Sequence, residues 1–395
     1  MKKCLRLWVA VFAAVAAVCA CGADRVNFSM KAAMTPFDKT VQWAYEKYAR
    51  EKVADIAEYA RRAGHTKVRG IYVTGPIAGS ASMDKLIELV DETELNAMVI
   101  DIKNDEGIIT YDAEIDRARE LGACVRYIPD IEGLMDRLKE HNIYTIARIV
   151  CFKDSFLASV PEYGLKKSDG SPVTDANGAA FVNPYNREVW EYIADAAQEA
   201  AELGFDEIQF DYVRFPVGKE AADADYGVDI SDYTKEQAIT DFLQYVSERL
   251  RDSDILLGAD VFGTIIGSRV DTEQVGQNYH TLGKTVDILS PMIYPSHYGA
   301  GVFGFDVPDA HPYGTVLAAL NGSNSELADI PLLERAVVRP WLQAFTATWV
   351  DGHITYDGDA IREQINAVYD AGYEEWILWN ASNRYSYDGL LLENG

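Results

Sequence analysis

Two aspartates lie at the ends of neighbouring apolar, β-type runs. Asp211 follows Gln209 on one face of the run 207–213, and Asp260 lies in the run 255–262. If both runs are adjacent strands of a parallel sheet, they lie about 4.8 Å apart. The carboxylates could then reach the roughly 5–5.5 Å separation of retaining glycosidases, or the wider one of inverting enzymes. The pair favours glycoside hydrolysis over a structural ion pair at Asp211 or a lone, amide-bound carboxylate at Asp260.

The two carboxylates have different surroundings in the sequence. Asp211 precedes Arg214, and either Arg214 or Arg148 could hold it ionised, as a nucleophile requires. Asp260 lies among apolar residues that favour its protonated form, as a general acid requires. We therefore predict Asp211 as the nucleophile and Asp260 as the general acid and base. The next candidates for the acid are Asp101, Asp105 and Asp154.

Polar and aromatic residues cluster near the ends of the other β-type runs. Charged groups there could bind sugar hydroxyls or hold a carboxylate ionised, and aromatic faces could stack on sugar rings. The alternative to substrate binding is a structural role: the charged residues could be solvated loop residues, and the aromatic residues could fill the barrel core. The predicted substrate-binding residues are Tyr72, Asp101, Lys103, Arg148, Gln209, Arg214, Tyr294, His297 and Trp379; Tyr212, Tyr298 and Trp349 are further rim aromatics.

Other catalytic chemistries lack their residues. Of six histidines only His297 lies near the end of a β-type run, so the paired histidines of a zinc hydrolase are missing. No Gly-x-Ser-x-Gly elbow occurs in the required context, and Cys151 has no evident histidine partner. We therefore predict no metal and no cofactor, and a packing role for Cys151.

Eight short β-type runs alternate with helical stretches. Near-continuous apolar runs such as 98–100 suit strands buried on both faces. This order predicts an α/β fold, a (β/α)8 TIM barrel. An open doubly wound sheet is the alternative, but no glycine-rich phosphate loop follows the first run. The predicted strands are 68–74, 97–102, 144–150, 207–213, 255–262, 286–294, 339–345 and 375–380.

Amphipathic segments separate these strands, and three connections are longer than a crossover needs. Residues 155–183, 217–232 and 295–312 follow strand ends, on the side where barrel active sites are built. We expect them to be ordered loops that shape a groove over the barrel mouth. The predicted helices include 82–92, 131–141, 184–203, 235–251, 272–282 and 360–371.

Charge and composition narrow the function. The 395 residues include 36 basic and 62 acidic side chains, which give a net charge of −26. Such a chain is not a nucleic-acid binder that works by neutralising phosphates. Its 48% hydrophobic content supplies a large core, so we expect a globular protein.

The N-terminus has the pattern of an export signal. Lys2 and Lys3 precede a mostly apolar run over 5–20, too short for a typical membrane span. Cys21 follows a small residue, Ala20, as in the lipobox of bacterial lipoproteins. We predict a signal peptide with lipobox over 1–21, lipidation at Cys21, a tether and helix over 22–65, and the barrel over 66–395. The protein would be exported and anchored at the membrane or cell surface; an ordinary cleaved signal without lipid is the alternative.

Five segments, 69–74, 99–107, 147–154, 210–216 and 291–298, together resemble the putative glycoside hydrolase domain family, whose barrels are distantly related to α-amylases. The resemblance covers about residues 66–385. It implies a (β/α)8 barrel acting on carbohydrate, with Asp211 at the nucleophile position of the fourth strand. Those barrels often carry a glutamate acid on the fifth strand, where this chain has Asp260. A second hypothesis is a non-catalytic, surface carbohydrate-binding barrel.

Overall fold

The computed structural model describes residues 64–253 and 255–392, and within them the predicted (β/α)8 barrel is confirmed. The signal segment, Cys21 and most of the predicted tether and helix lie outside the described residues. The barrel strands are β1 (Arg69–Val73), β2 (Ala97–Lys103), β3 (Tyr144–Val150), β4 (Glu207–Asp211), β5 (Leu256–Phe262), β6 (Ile288–Ile293), β7 in two pieces (Val337–Val338 and Trp341–Gln343) and β8 (Trp376–Trp379).

Parallel pairing closes these strands into a cylinder. β1 pairs with β2 and with β8, while the second piece of β7 pairs with both β6 and β8. A closed parallel sheet excludes the open doubly wound alternative. β7 is interrupted at Pro340, which has no N–H to donate to the ladder.

Helices surround the barrel. Apolar side chains on the outer face of the strands, such as Ile208 and Phe210, pack with the helices in one continuous core. Within the described ranges, no helix combines the length and apolar composition needed to cross a bilayer. The helices are α1 (Gly75–Ala78), α2 (Ser82–Glu92), α3 (Asp116–Glu120), α4 (Ile131–Glu140), α5 (Arg187–Glu202), α6 (Lys235–Arg249), α7 (Arg269–Val275), α8 (Tyr279–Leu282), α9 (Pro312–Glu326) and α10 (Gly358–Asp370).

One predicted helix, 272–282, is wrong as a single element. The chain forms α7 and α8, and Gly276 between them has a φ of +74°. This left-handed conformation ends α7, and glycine adopts it without steric cost. The Asn278 side chain then accepts the backbone N–H of Thr281 and caps α8.

Two of the three long loops pack together beside the barrel mouth. Lys166–Lys167 and Ala224–Asp225 form a short antiparallel ribbon between loop 155–183 and loop 217–232. Leu165, Val173 and Phe181 form a small apolar cluster beneath it. These contacts connect the two loops to each other.

A buried ionic layer fills the amino-terminal end of the barrel. Arg339 donates to both oxygens of Glu207, at 2.8 and 2.9 Å, and to Glu375 at 2.9 Å. All three side chains are at most 1% exposed. Burial alone would raise the pKa of Glu375, but the charge of Arg339, helped by His65, outweighs it and lowers that pKa to about 2. The layer fills this end of the barrel, which leaves the opposite, carboxyl-terminal end as the candidate mouth.

Candidate active site

Asp211 is the last residue of β4, at the carboxyl-terminal mouth. It points into the barrel with Gln209, because the residues between and before them pack in the outer core. The backbone N–H of Tyr212 donates to Asp211 Oδ1 at 2.6 Å. Tyr212 has a φ of +48°, which is uncommon for a residue with a side chain. Such local strain is typical of functional sites.

Arg148, on β3, joins two carboxylates. Its Nε and Nη2 donate to Asp211 Oδ2 at 2.9 and 2.5 Å, and its Nη1 donates to Asp101 Oδ1 at 2.6 Å. Tyr72 donates its hydroxyl to the other oxygen of Asp101 at 2.5 Å. Burial alone would lower the pKa of Arg148, but the charges of Asp101 and Asp211 outweigh it and raise that pKa. Arg148 therefore stays cationic and holds Asp211 in one orientation.

Asp260 lies level with Asp211 on the neighbouring strand, because Phe210 is in register with Ala259. The side chain is 1% exposed. Its Oδ1 accepts a hydrogen bond from Trp341 Nε1 at 2.7 Å, and its Oδ2 has no partner among the described residues. Burial, and then the negative charge of Asp211, raise the pKa of Asp260 well above its ordinary value. The site thus pairs an arginine-bound carboxylate with one that favours its proton.

Aromatic rings form one wall of the mouth. Trp379 stacks on Tyr72 at 6.2 Å between ring centroids and lies 5.7 Å from Tyr294 and 5.2 Å from Phe345. The exposed ring of His297 lies 5.3 Å from Tyr294. The part of the His297 side chain that packs against the wall loses water contact, and this partial burial lowers its pKa and favours the neutral form. The structure brings these aromatic residues together around the carboxylates.

Arg214 does not hold Asp211. Its guanidinium lies 4.5 Å from the ring of Phe262 and 4.9 Å from the ring of Tyr212, and it donates to the carbonyl of Phe215 at 3.0 Å. Of the two arginines considered from the sequence, Arg148 is the one that pairs with Asp211. Arg214 lies beside the mouth, 9% exposed.

Two predicted substrate-binding residues are fully buried. Lys103 pairs with Asp154 at 2.7 Å and donates to the carbonyl of Val150 at 2.8 Å. The amide of Gln209 donates to Ser290 Oγ at 3.1 Å. Both side chains are 0% exposed, so these contacts place them in the scaffold beneath the mouth. Asp154 is occupied by Lys103 and is therefore a poor candidate for the acid.

Sequence reasoning missed Trp341 as a site residue. It lies in the second piece of β7, faces the barrel interior and donates to Asp260. The residue lies inside the predicted strand 339–345, and alternation along that strand places it on the face of Arg339 and Gln343. That alternation is the signal that could have found it.

The described part of the chain has no cluster of three or more His, Cys, Asp or Glu side chains suited to a metal ion.

Cys151 is fully buried, and burial raises the pKa of its thiol well above the ordinary value. It is therefore a poor thiolate nucleophile.

Known proteins resemble this chain in sequence and in fold. Residues 70–385 match the model of a family described as "Putative glycosyl hydrolase domain". A solved structure of a hypothetical protein from Ruminiclostridium thermocellum ATCC 27405 is 36% identical, with 48% of this chain and 97% of that chain covered and a TM-score of 0.44. The PgaB (BpsB) glycoside hydrolase domain from Bordetella bronchiseptica is 15% identical, with 80% and 94% covered and a TM-score of 0.57, which shows a shared fold. No curated protein sequence matches the chain.

Proposed function

The chain belongs to the family of putative glycosyl hydrolase domains, and we propose that it hydrolyses glycosidic bonds of a polysaccharide or glycoconjugate with Asp211 and Asp260 as its two carboxylates. The observation that carries this proposal is their contrast. Asp211 is bound by the cationic Arg148, while the pKa of Asp260 is raised by burial and by the charge of Asp211. Two carboxyl groups with opposite protonation preferences are what glycoside hydrolysis requires.

In the proposed reaction Asp260 gives its proton to the glycosidic oxygen as the bond to the anomeric carbon breaks. Asp211 Oδ2 is held by Arg148, whereas Oδ1 accepts, among the described residues, only the Tyr212 N–H and keeps a lone pair for the anomeric centre. In a retaining reaction Oδ1 bonds to that carbon, and a water later displaces it while Asp260 takes the water's proton. In an inverting reaction the water attacks directly, and Asp211 accepts its proton.

The aromatic wall supports a carbohydrate substrate. The apolar faces of sugar rings can stack on Trp379 and Tyr294, while their hydroxyl groups bond to polar residues at the mouth. The proposed substrate contacts therefore involve Trp379 and His297, with the slightly exposed Arg148 and Tyr294 behind them, more than Lys103 and Gln209, which are 0% exposed.

We also propose that the protein is exported and anchored by a lipid on Cys21. This part rests on the sequence alone: two lysines, an apolar run of signal-peptide length and a cysteine after Ala20. A surface location would give the barrel access to extracellular or cell-wall glycans.

The proposal is tested by incubating the purified full chain with a panel of starch, xylan, cellulose, chitosan and peptidoglycan glycan strands. Release of reducing ends by the wild type, and its loss in Asp211→Asn, is the expected result. Asp206→Asn is the matched control, because Asp206 lies at the other end of the same strand and bonds to Thr145. Equal turnover by Asp211→Asn and the wild type would disprove the role of Asp211. Binding without turnover would favour the non-catalytic carbohydrate-binding alternative.

A further inference from the structure

Trp349 is an exposed aromatic residue on the loop 344–357 that follows β7. Its indole is stacked on Phe345, with 5.9 Å between ring centroids and 18° between planes. The side chain is nevertheless 66% exposed. Phe345 thus supports one face of the indole, and the rest of the ring is open to a flat ligand.

Trp349 is continuous with the aromatic wall of the site. Phe345 contacts Trp379 at 5.2 Å, and Trp379 stacks on Tyr72 at 6.2 Å. Tyr72 donates to Asp101, which shares Arg148 with Asp211. A row of aromatic rings therefore runs from Asp101 and Asp211 at the mouth outward to the solvent-exposed indole of Trp349.

The surroundings of Trp349 suit a hydrated ligand. Thr348, Asp351 and His353 are exposed polar neighbours on the same loop. The exposed apolar surface is thus one ring bordered by polar groups, unlike the broad contiguous patch of a protein interface. A sugar ring fits this pattern, since its C–H face can lie on the indole while its hydroxyl groups stay in water.

We propose that Trp349, supported by Phe345, is an outer sugar-binding subsite for a glycan chain that extends from the carboxylates over the aromatic wall. This inference rests on the proposed glycoside hydrolase function and deepens it. The substrate class is a polymeric glycan whose sugar units beyond the cleavage point contribute to binding. A disaccharide would reach the carboxylates without reaching the indole.

The test compares the full chain with Trp349→Ala on oligosaccharides of two to six units from whichever panel polysaccharide the wild type hydrolyses. The measured quantity is the ratio of kcat/KM for the longest to the shortest substrate. We expect Trp349→Ala to lower this ratio about tenfold through KM, the size of one lost stacking contact. Trp349→Phe, which keeps an aromatic face, should restore most of the ratio.

Leu332→Ala is the matched control. Leu332 is 68% exposed, but it precedes β7 at the opposite end of the barrel. Its replacement should leave the ratio at the wild-type value. An unchanged ratio in Trp349→Ala, or an equal loss on short and long substrates, would overturn the subsite.

Binding measurements distinguish a protein without hydrolytic activity from a protein without the Trp349 subsite. If the wild type hydrolyses no glycan, affinity electrophoresis through gels containing the same soluble polysaccharides still measures binding. Retardation of the wild type and Leu332→Ala but not of Trp349→Ala would support the subsite without catalysis. Equal migration of all three through every gel would refute it.

Discussion

Two nitrogens of Arg148 converge on one oxygen of Asp211, at 2.9 and 2.5 Å, and the other oxygen accepts the backbone N–H of Tyr212. The guanidinium thus fixes the carboxylate by one oxygen and keeps it negative. Its third hydrogen-bonding nitrogen goes to Asp101, so the cation is shared by two anions. Replacing Arg148, Asp101 or Asp211 by a neutral residue therefore changes both the charge and the geometry at the mouth.

Asp211→Asn should abolish turnover and destabilise the protein. The neutral amide is a poor nucleophile, and Arg148 loses half of its charge pairing. We expect activity to fall by at least about a thousandfold. The free energy of unfolding should drop by about 1–3 kcal/mol. Kinetics and urea unfolding measure the two effects, with Asp206→Asn as the control for the same strand. A variant as active as the wild type would exclude Asp211 as the nucleophile.

Asp260→Asn should affect stability in the opposite direction. The carboxyl is buried, and one of its oxygens has no partner within the described ranges, so above its raised pKa it must carry a poorly compensated charge. A neutral amide removes that cost, so above the pKa of Asp260 the variant should be more stable than the wild type by on the order of 1 kcal/mol. The free energy of unfolding of the wild type should therefore fall as pH rises through the pKa of Asp260, because the buried carboxyl becomes charged.

The same variant should discriminate between leaving groups. Natural glycans need protonation of the departing oxygen, whereas aryl glycosides with acidic phenols need little. Asp260→Asn should therefore lose far more activity on natural glycans than on aryl glycosides with acidic phenols. Full activity on a natural glycan would contradict the assignment and direct attention to Asp101 or Asp105.

The barrel could be predicted from the sequence because its strands are short apolar runs in a regular order. Each of the eight predicted runs overlaps a barrel strand, although the first piece of β7, Val337–Val338, lies before the predicted run 339–345. The side-chain contacts were harder to predict, since they depend on register between strands distant in sequence. Arg148 and Asp211 are 63 residues apart, and Trp341 is 81 residues from Asp260. Lys103 resembled a mouth residue, but β2 carries it into contact with the buried Asp154.

Glu375→Gln should reveal the stabilising role of the ionic layer at the closed end. The pKa of Glu375 is lowered from 4.5 to about 2. A depressed carboxyl pKa stabilises the fold above about pH 4.5, and this contribution is lost as pH falls toward 2. The variant should lose about 3 kcal/mol at pH 7. Its unfolding free energy should also vary less than that of the wild type between pH 4.5 and 2, and urea titrations across this window test both points. Equal acid sensitivity of the two proteins would refute this source of stability.

Cys21→Ser should prevent attachment of a lipid. Metabolic labelling with a fatty-acid analogue should mark the wild type in a bacterial host and leave the variant unlabelled. Cys19, two residues earlier, follows Val18, a large residue for the position before the lipidated cysteine. Cys19→Ser therefore serves as the matched control and should label normally. Equal labelling of the wild type and Cys21→Ser would show that Cys21 does not carry the lipid.

Trp341→Phe tests whether Asp260 controls the alkaline side of the activity profile. The indole N–H donates to Asp260 Oδ1 at 2.7 Å, and this bond favours the ionised carboxylate and so lowers the pKa of Asp260. Removing the donor while keeping an aromatic ring should raise that pKa further. Asp260 would then hold its proton to higher pH, and the alkaline fall in kcat/KM should move upward while the acidic limb stays in place. Trp376→Phe is the control, because Trp376 is equally buried but donates to Tyr369, outside the mouth. An alkaline limb that stays in place in Trp341→Phe, or moves equally in Trp376→Phe, would show that Asp260 is not the group that titrates there.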